Sequence, residues 1–222
     1  MNVALLGQPV VESLSPRMQN AAFAAAGLEW EYLALEVAPP ELPDAVARLV
    51  SDGFAGANVT IPHKRAVVEL CDEADGDSVN TLVVRDGRVL GYNTDKEIVA
   101  GIEAQRVCLI GAGGAAQALL PALAGEVRMF SRGGEWPPAV DAVDLVVNAT
   151  SERDDVLVEL GPGQTLVDLP YPRTATARAA ESAGARVVDG LDVLVAQGAA
   201  SFELWTGVPA PVEVMRAAVR AG

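Results

Sequence analysis

This chain has little of what metal, redox and nucleic-acid proteins use. Its 222 residues include two cysteines and one histidine. Cys71 and Cys108 each lie in an apolar run, with no CxxC or ligand-like spacing. Both read as core thiols of a reducing compartment, and no metal site is expected. Basic residues are scarce: 16 Lys and Arg stand against 30 Asp and Glu, a formal net charge of −14. That excludes non-specific binding to nucleic acid or to an anionic membrane surface. It leaves room for a small anionic ligand, because a phosphate site needs only local amides and one cation. No apolar run reaches the roughly 18 residues of a membrane span. The opening MNVALLGQPV lacks the basic stretch and long apolar core of a leader peptide. A soluble cytoplasmic protein is expected, a monomer or a homodimer.

What is present is Ala, Val, Leu and Gly, arranged as short apolar runs that alternate with helical stretches. Residues 2–6, 31–35 and 57–60 read as strands, and 16–26 and 41–52 as helices. Residues 81–85 and 88–92 read as a hairpin around Asp86-Gly87. A further helix is expected over 65–70. The pattern restarts after Asp95, with strands at 106–110, 127–131, 144–148, 165–169 and 186–188 and helices at 115–123 and 175–184. Alternation of this kind predicts mostly parallel sheets covered by helices, an α/β fold. Two lobes fit it better than one.

The second lobe opens with RVCLIGAGGAAQALL. An aliphatic strand runs into Gly111-Ala112-Gly113-Gly114-Ala115-Ala116, and a helix begins at once. This is the G-x-G-x-x-A form of the dinucleotide-binding turn. Gly111 allows the tight turn, Gly113 allows a pyrophosphate to approach the backbone, and the helix start offers unpaired amides. The next strand ends at Ser131-Arg132, with Arg132 21 positions after Gly111. An NAD site would place an acid there; a guanidinium matches a phosphate and favours NADP. An exposed strand-end arginine is the alternative.

The first lobe holds GANVTIPHKRAVVEL, residues 56–70. Asn58 and Thr60 alternate with Val59 and Ile61, a short strand with one polar side. Pro62 ends it and Lys64 follows. Read alone, Lys64 is a solvated charge.

The ordered set GQPVVESLSPRMQN, NVTIPHK, SVNTL, GYNTD, GAGGAA, NAT, DLPY and GLDVLVAQGAASFELWTG resembles the shikimate dehydrogenase family over nearly the whole chain. The resemblance implies NADPH-dependent, reversible reduction of 3-dehydroshikimate to shikimate, in the pathway to chorismate and the aromatic amino acids. It implies an α/β substrate-binding domain over 1–97 and 191–222 and a Rossmann-type domain over 98–190, with C-terminal helices returning to the first lobe. Lys64 and Asp95 would form the catalytic pair. Ser13 and Ser15 would bond the substrate carboxylate. Asn58, Thr60, Asn80, Tyr171 and Gln197 would surround the ring. Gly111, Ala112, Gly113, Gly114, Ala115, Ser131, Arg132, Asn148, Ala149, Thr150 and Gly190 would border NADP.

Acid–base chemistry agrees with this set. Reducing a ketone puts negative charge on its oxygen, and a proton donor must meet it. The Lys64 ammonium can donate, and the Asp95 carboxylate can hold it in place. His63 is the other candidate base. Structural roles stay open for several residues: Ser13 and Ser15 as helix caps, Asn93 and Asp95 as turn residues, Gln197 as an exposed helix residue. The chain departs from the family pattern in three ways. Gln19 stands where histidine is usual, Ser131-Arg132-Gly133 where Asn-Arg-Thr is usual, and the second lobe is short. An NAD-dependent quinate or shikimate dehydrogenase, or a non-catalytic binding protein, remains an alternative.

Overall fold

The structure, a computed structural model, describes residues 1–221. The chain divides into two compact units, Met1–Thr94 with Val195–Gly222, and Asp95–Leu194.

The first unit is a six-stranded sheet of β1 (Asn2–Gly7), β2 (Glu31–Glu36), β3 (Gly56–Val59), β4 (Glu73–Ala74), β5 (Thr81–Arg85) and β6 (Arg88–Tyr92). Their order is β2-β1-β3-β5-β6-β4. β1 pairs in parallel with β2 and β3, whereas β5 runs antiparallel to β3 and to β6. Helices α1 (Ser15–Ala25) and α2 (Leu42–Ser51) come from this part of the chain. The period-2 alternation of strands sorts the side chains. Ala4, Leu6, Ala57, Val59 and Leu82 join Leu42, Val46 and Leu49 of α2 in one core. Tyr32, Asn58 and Thr81 belong to a second buried set, with residues of the C-terminal helix α5 (Gly190–Thr206). There Phe23 of α1 stacks on Phe202 at 5.4 Å and Tyr32 tilts against Trp205 at 6.1 Å. The last helix, α6 (Val212–Arg220), is capped by α1, since Arg17 donates to the carbonyls of Val219 (2.9 Å) and Ala221 (3.2 Å). Asp86 and Gly87 both have positive φ, 54° and 75°, which matches a tight hairpin turn at the expected place.

The second unit is an all-parallel sheet of β7 (Arg106–Ile110), β8 (Glu126–Phe130), β9 (Leu145–Asn148), β10 (Thr165–Asp168) and β11 (Arg186–Val188). The order is β11-β10-β9-β7-β8. β9 is buried throughout, as a central parallel strand covered on both faces must be. Two helices lie within the unit, α3 (Gly114–Leu119) and α4 (Ala175–Ser182). From β8 to β9 the chain crosses β7 without a helix, through residues 131–144. Gln164 holds that crossover: its Nε2 donates to the carbonyls of Val140 (2.9 Å) and Val143 (3.0 Å), and its Oε1 accepts from Gly161 N–H at 2.9 Å.

Two expected helices are shorter than their apolar pattern suggests. Residues Ala66–Leu70 form a 3-10 turn instead of an α-helix over 65–70. The helix expected over 115–123 ends at Leu119 and continues only as a 3-10 turn, Leu120–Ala122. Pro121 explains the second case, because it has no N–H to donate back to Gln117 and its ring crowds that turn. Burial pushes the Cys108 thiol up to about 12 and the Cys71 thiol up to about 11, so both are protonated and inert at neutral pH. Among the described residues no helix is long and apolar enough to cross a membrane. Nor is any group of three His, Cys, Asp or Glu placed to hold a metal ion.

Candidate active site

Strand directions in the first unit gather the polar loops at one edge. β1, β2 and β3 run the same way, so their carboxyl ends lie together; β5, reversed, begins there, and β6 ends there. Ser13 follows β1, Thr60 and Lys64 follow β3, Asn80 precedes β5, and Asn93 and Thr94 follow β6.

Behind that edge lies a buried polar network. Asn58 is 5% exposed and makes four side-chain bonds. Its Nδ2 faces the Asn80 carbonyl (3.1 Å), Thr81 Oγ1 (3.1 Å) and Ser201 Oγ (2.9 Å), and its Oδ1 accepts from the Tyr32 hydroxyl at 2.8 Å. Burial drives the Tyr32 phenol upward from its ordinary value, against a hydrogen bond to Ser15 that lowers it. Asn80 Oδ1 accepts from Thr94 N–H (2.8 Å) and from Thr81 Oγ1 (3.0 Å). Ser201 Oγ also donates to the Gln197 carbonyl at 3.0 Å, which ties the network to the turn of α5 that carries Gln197.

His63 and its neighbour Lys64 are held differently. His63 is 1% exposed, and its Nε2 lies 2.7 Å from the Val37 carbonyl. Its ring braces the strand end. Lys64 is half-buried, and its carbonyl accepts from Val79 N–H at 2.8 Å. Ser13 Oγ accepts from Ser15 N–H at 3.2 Å, so it does serve the first turn of α1. Gln19 is fully buried and donates from Nε2 to the Gly198 carbonyl at 2.9 Å.

In the second unit the parallel register places every post-strand loop at the carboxyl edge of the sheet, and the strand order reverses at β7, the usual position for a ligand crevice. Gly111 has φ +120°, and a Cβ there would lie 3.0 Å from the Ala149 carbonyl oxygen. Gly113 and Gly114 are exposed, and a Cβ on either would meet nothing within 4 Å. The backbone is therefore bare on the side where a diphosphate would lie, and these residues fit a dinucleotide. A hollow of about 240 Å³ is lined by Gly111, Ser131, Arg132, Trp136, Thr150 and Glu152 among others. A second, of about 330 Å³, is lined by Ala115, Ala149, Thr150, Arg153 and Tyr171 among others.

Thr150 borders both hollows and is held from within. Its N–H and Oγ1 donate to Asn148 Oδ1 at 3.1 and 2.7 Å. Asn148 Nδ2 donates to Asp168 at 2.7 Å, and Asp168 accepts from Thr174 Oγ1, the N-cap of α4, at 2.7 Å. Burial raises the Asp168 carboxyl above its ordinary value, against these hydrogen bonds. Gly190 has a packing reason to be glycine, since a Cβ would come within 2.3 Å of the Pro170 carbonyl oxygen.

Residues 5–82 match the family model of the shikimate dehydrogenase substrate binding domain, and residues 190–220 match that of the shikimate 5'-dehydrogenase C-terminal domain. A shikimate dehydrogenase (NADP+) of Moorella thermoacetica is 40% identical over 271 aligned residues, covering 98% of this chain and 92% of the relative. The chain belongs to the shikimate dehydrogenase family. A shikimate dehydrogenase (NADP+) of Methanopyrus kandleri is 39% identical, covering 98% of this chain and 94% of the relative. The crystal structure of a family member, shikimate 5-dehydrogenase of Thermus thermophilus in complex with NADP(H) and shikimate, superposes with a TM-score of 0.86 at 30% identity. That match spans 100% of this chain and 99% of the other. The alignment with the Moorella relative runs over 271 positions against this chain's 222 residues, so it includes internal stretches that this chain lacks. The helix-free crossover at 131–144 is consistent with such trimming.

The sequence pattern did not single out Tyr32, Thr81, Thr94, Ser201, Glu152 or Asp168 as site residues. Thr81, Thr94 and Asp168 stand inside the SVNTL, GYNTD and DLPY motifs, which was an available signal. Ser201 likewise stands inside GLDVLVAQGAASFELWTG, whereas Tyr32 carried no signal, because its bond to Asn58 spans 26 residues.

Proposed function

We propose that this chain is a shikimate dehydrogenase that reversibly reduces 3-dehydroshikimate to shikimate with NADPH, in the chorismate route to aromatic amino acids. The observation that carries this reading is identity of 40% to a shikimate dehydrogenase (NADP+) over 98% of the chain.

In this reading the bound nicotinamide supplies or takes the hydride. Lys64 holds the proton at the ketone oxygen: as ammonium it donates to the forming hydroxyl, and as amine it accepts in the reverse direction. Asp95 orients Lys64. Ser13 and Ser15 bond the carboxylate. Thr60, Asn80, Tyr171 and Gln197 meet the ring hydroxyls. Asn58, its amide engaged by four neighbours, takes part by holding the strand end and Asn80 in register. A site built of short polar groups rejects analogues that lack the hydroxyls, because its own groups would be left unpaired. Gly111, Ala112, Gly113, Gly114 and Ala115 take the diphosphate. Arg132 and Ser131 take the 2′-phosphate. Asn148, Ala149, Thr150 and Gly190 shape the remaining wall. The bare backbone at Gly113 and Gly114 and the single cation beside Gly111 support this placement. We assign the site to a cytoplasmic enzyme with a small-molecule substrate.

The test is a spectrophotometric assay of purified protein with shikimate or quinate, each with NADP+ or NAD+. Reduction of NADP+ by shikimate is the expected result. Preferred turnover of quinate or of NAD+ would assign a quinate or NAD-dependent dehydrogenase instead. Shikimate binding without turnover in any combination would make it a binding protein.

A further inference from the structure

Arg132 is the only cation lining the hollow beside Gly111, and it is not alone there. Its guanidinium lies 3.5 Å from Glu152 Oε2 and 4.0 Å from Asp155 Oδ2, and 5.8 Å from the Trp136 ring. The two partners differ in freedom. The Arg132 side chain is 65% exposed and can swing, while that of Glu152 is 26% exposed. Glu152 Oε1 accepts from the backbone N–H groups of Arg153 (3.0 Å), Asp154 (3.1 Å) and Asp155 (3.4 Å). Its own N–H donates to Thr150 Oγ1 at 3.1 Å. One carboxylate oxygen is thus pinned by the loop, and the other is turned to the arginine.

We propose that Glu152 is a specificity-determining residue of the cofactor site: its fixed carboxylate competes with the 2′-phosphate of NADP for Arg132 and narrows the preference for NADP over NAD. The inference rests on the cofactor reading above. A phosphate at Arg132 must displace the guanidinium from Glu152 or lie beside a carboxylate that cannot retreat, and like charges at such range repel. A ribose 2′-hydroxyl meets no such penalty and can donate to a carboxylate. Backbone donors, those of Asp154 and Asp155 foremost, hold the Glu152 carboxyl below its ordinary value, so it keeps its charge through the neutral range. Asp155 adds a second negative charge on the same side.

Glu152→Gln tests this without disturbing the loop, because the amide oxygen still accepts the three backbone N–H groups. The readout is binding, by calorimetric titration of NADP+, NAD+ and 2′,5′-ADP in the absence of substrate. Glu152→Gln is expected to tighten NADP+ and 2′,5′-ADP by about 3- to 10-fold, to leave NAD+ unchanged or weaker, and to lose that gain at high salt. Arg132→Gln should weaken NADP+ in either background. NADP+ affinity unchanged or lowered in Glu152→Gln, while Arg132→Gln still weakens it, would overturn the role of Glu152 and leave the cofactor reading intact. A wild type that binds none of the three probes would overturn both.

Discussion

The Tyr32 hydroxyl donates to Asn58 Oδ1 over 2.8 Å, inside a site where Tyr32 is 2% and Asn58 5% exposed. That bond decides which end of the Asn58 amide faces Thr81 and Ser201. Tyr32→Phe would leave a buried acceptor without this donor, which costs about 1–3 kcal/mol. Urea denaturation should show that loss, and shikimate affinity should fall with it, since Asn80 rests on the same network. Unchanged stability would mean that the network repacks around the missing hydroxyl.

Lys64→Ala should lower kcat by a factor of about 10² to 10⁴ while shikimate still binds. His63→Asn should cost stability instead of chemistry, because the His63 ring is engaged by the Val37 carbonyl. Stopped-turnover assays beside equilibrium binding of shikimate separate the two. A Lys64→Ala variant with near-normal kcat would remove lysine from the proton transfer.

Two glycines of one turn should respond differently. Gly111→Ala forces a side chain onto φ +120° and against the Ala149 carbonyl, a strain of about 1–3 kcal/mol. Gly113 has φ −77° and open space above it, so Gly113→Ala should change stability by less than about 0.5 kcal/mol. It should still weaken NADP+, because the new methyl occupies the surface a diphosphate approaches. Thermal melts and dinucleotide titration of both variants check this. Equal losses of stability would contradict the geometry.

Asp168 gives a pH dependence with a definite sign. Burial raises its folded-state value above the unfolded one, about 3.9. Between the two values the folded protein binds the extra proton, so stability falls as pH rises through that window. Asp168→Asn removes this slope and can keep both neighbours, accepting from Asn148 and donating to Thr174. Urea midpoints measured from pH 4 upward should show the wild type losing stability relative to the variant as pH rises. Parallel curves would mean that the hydrogen bonds from Thr174 and Asn148 offset burial fully.

Much of the fold was legible because the signals are local. The strand at 106–110 and the hairpin around Asp86-Gly87 follow from side-chain period and turn chemistry, which act over a few residues. The glycine turn after β7 was legible for the same reason. The 3-10 turns at Ala66–Leu70 and Leu120–Ala122 were missed, because apolar spacing does not distinguish a short helix from a tighter one. Among site residues, motif members were visible by type, but their division of labour was not. His63 and Lys64 are adjacent in sequence, and only packing shows that the imidazole is tied to Val37.

The amino-acid sequence by itself determined the two α/β units, the dinucleotide turn and the residue types of the site, since each depends on neighbours within about one helical turn or one strand. Tertiary structure decided which polar groups hold one another. Tyr32, Asn58, Thr81 and Ser201 meet because the strand order puts β3 between β1 and β5, and Ser201 returns from the far end of the chain. Arg132 meets Glu152 because β8 and β9 flank β7 in a parallel sheet, so that the loops after all three emerge at one edge. Hydrogen bonds and ion pairs act over a few ångströms, and only the folded sheet brings residues so distant in sequence within that range.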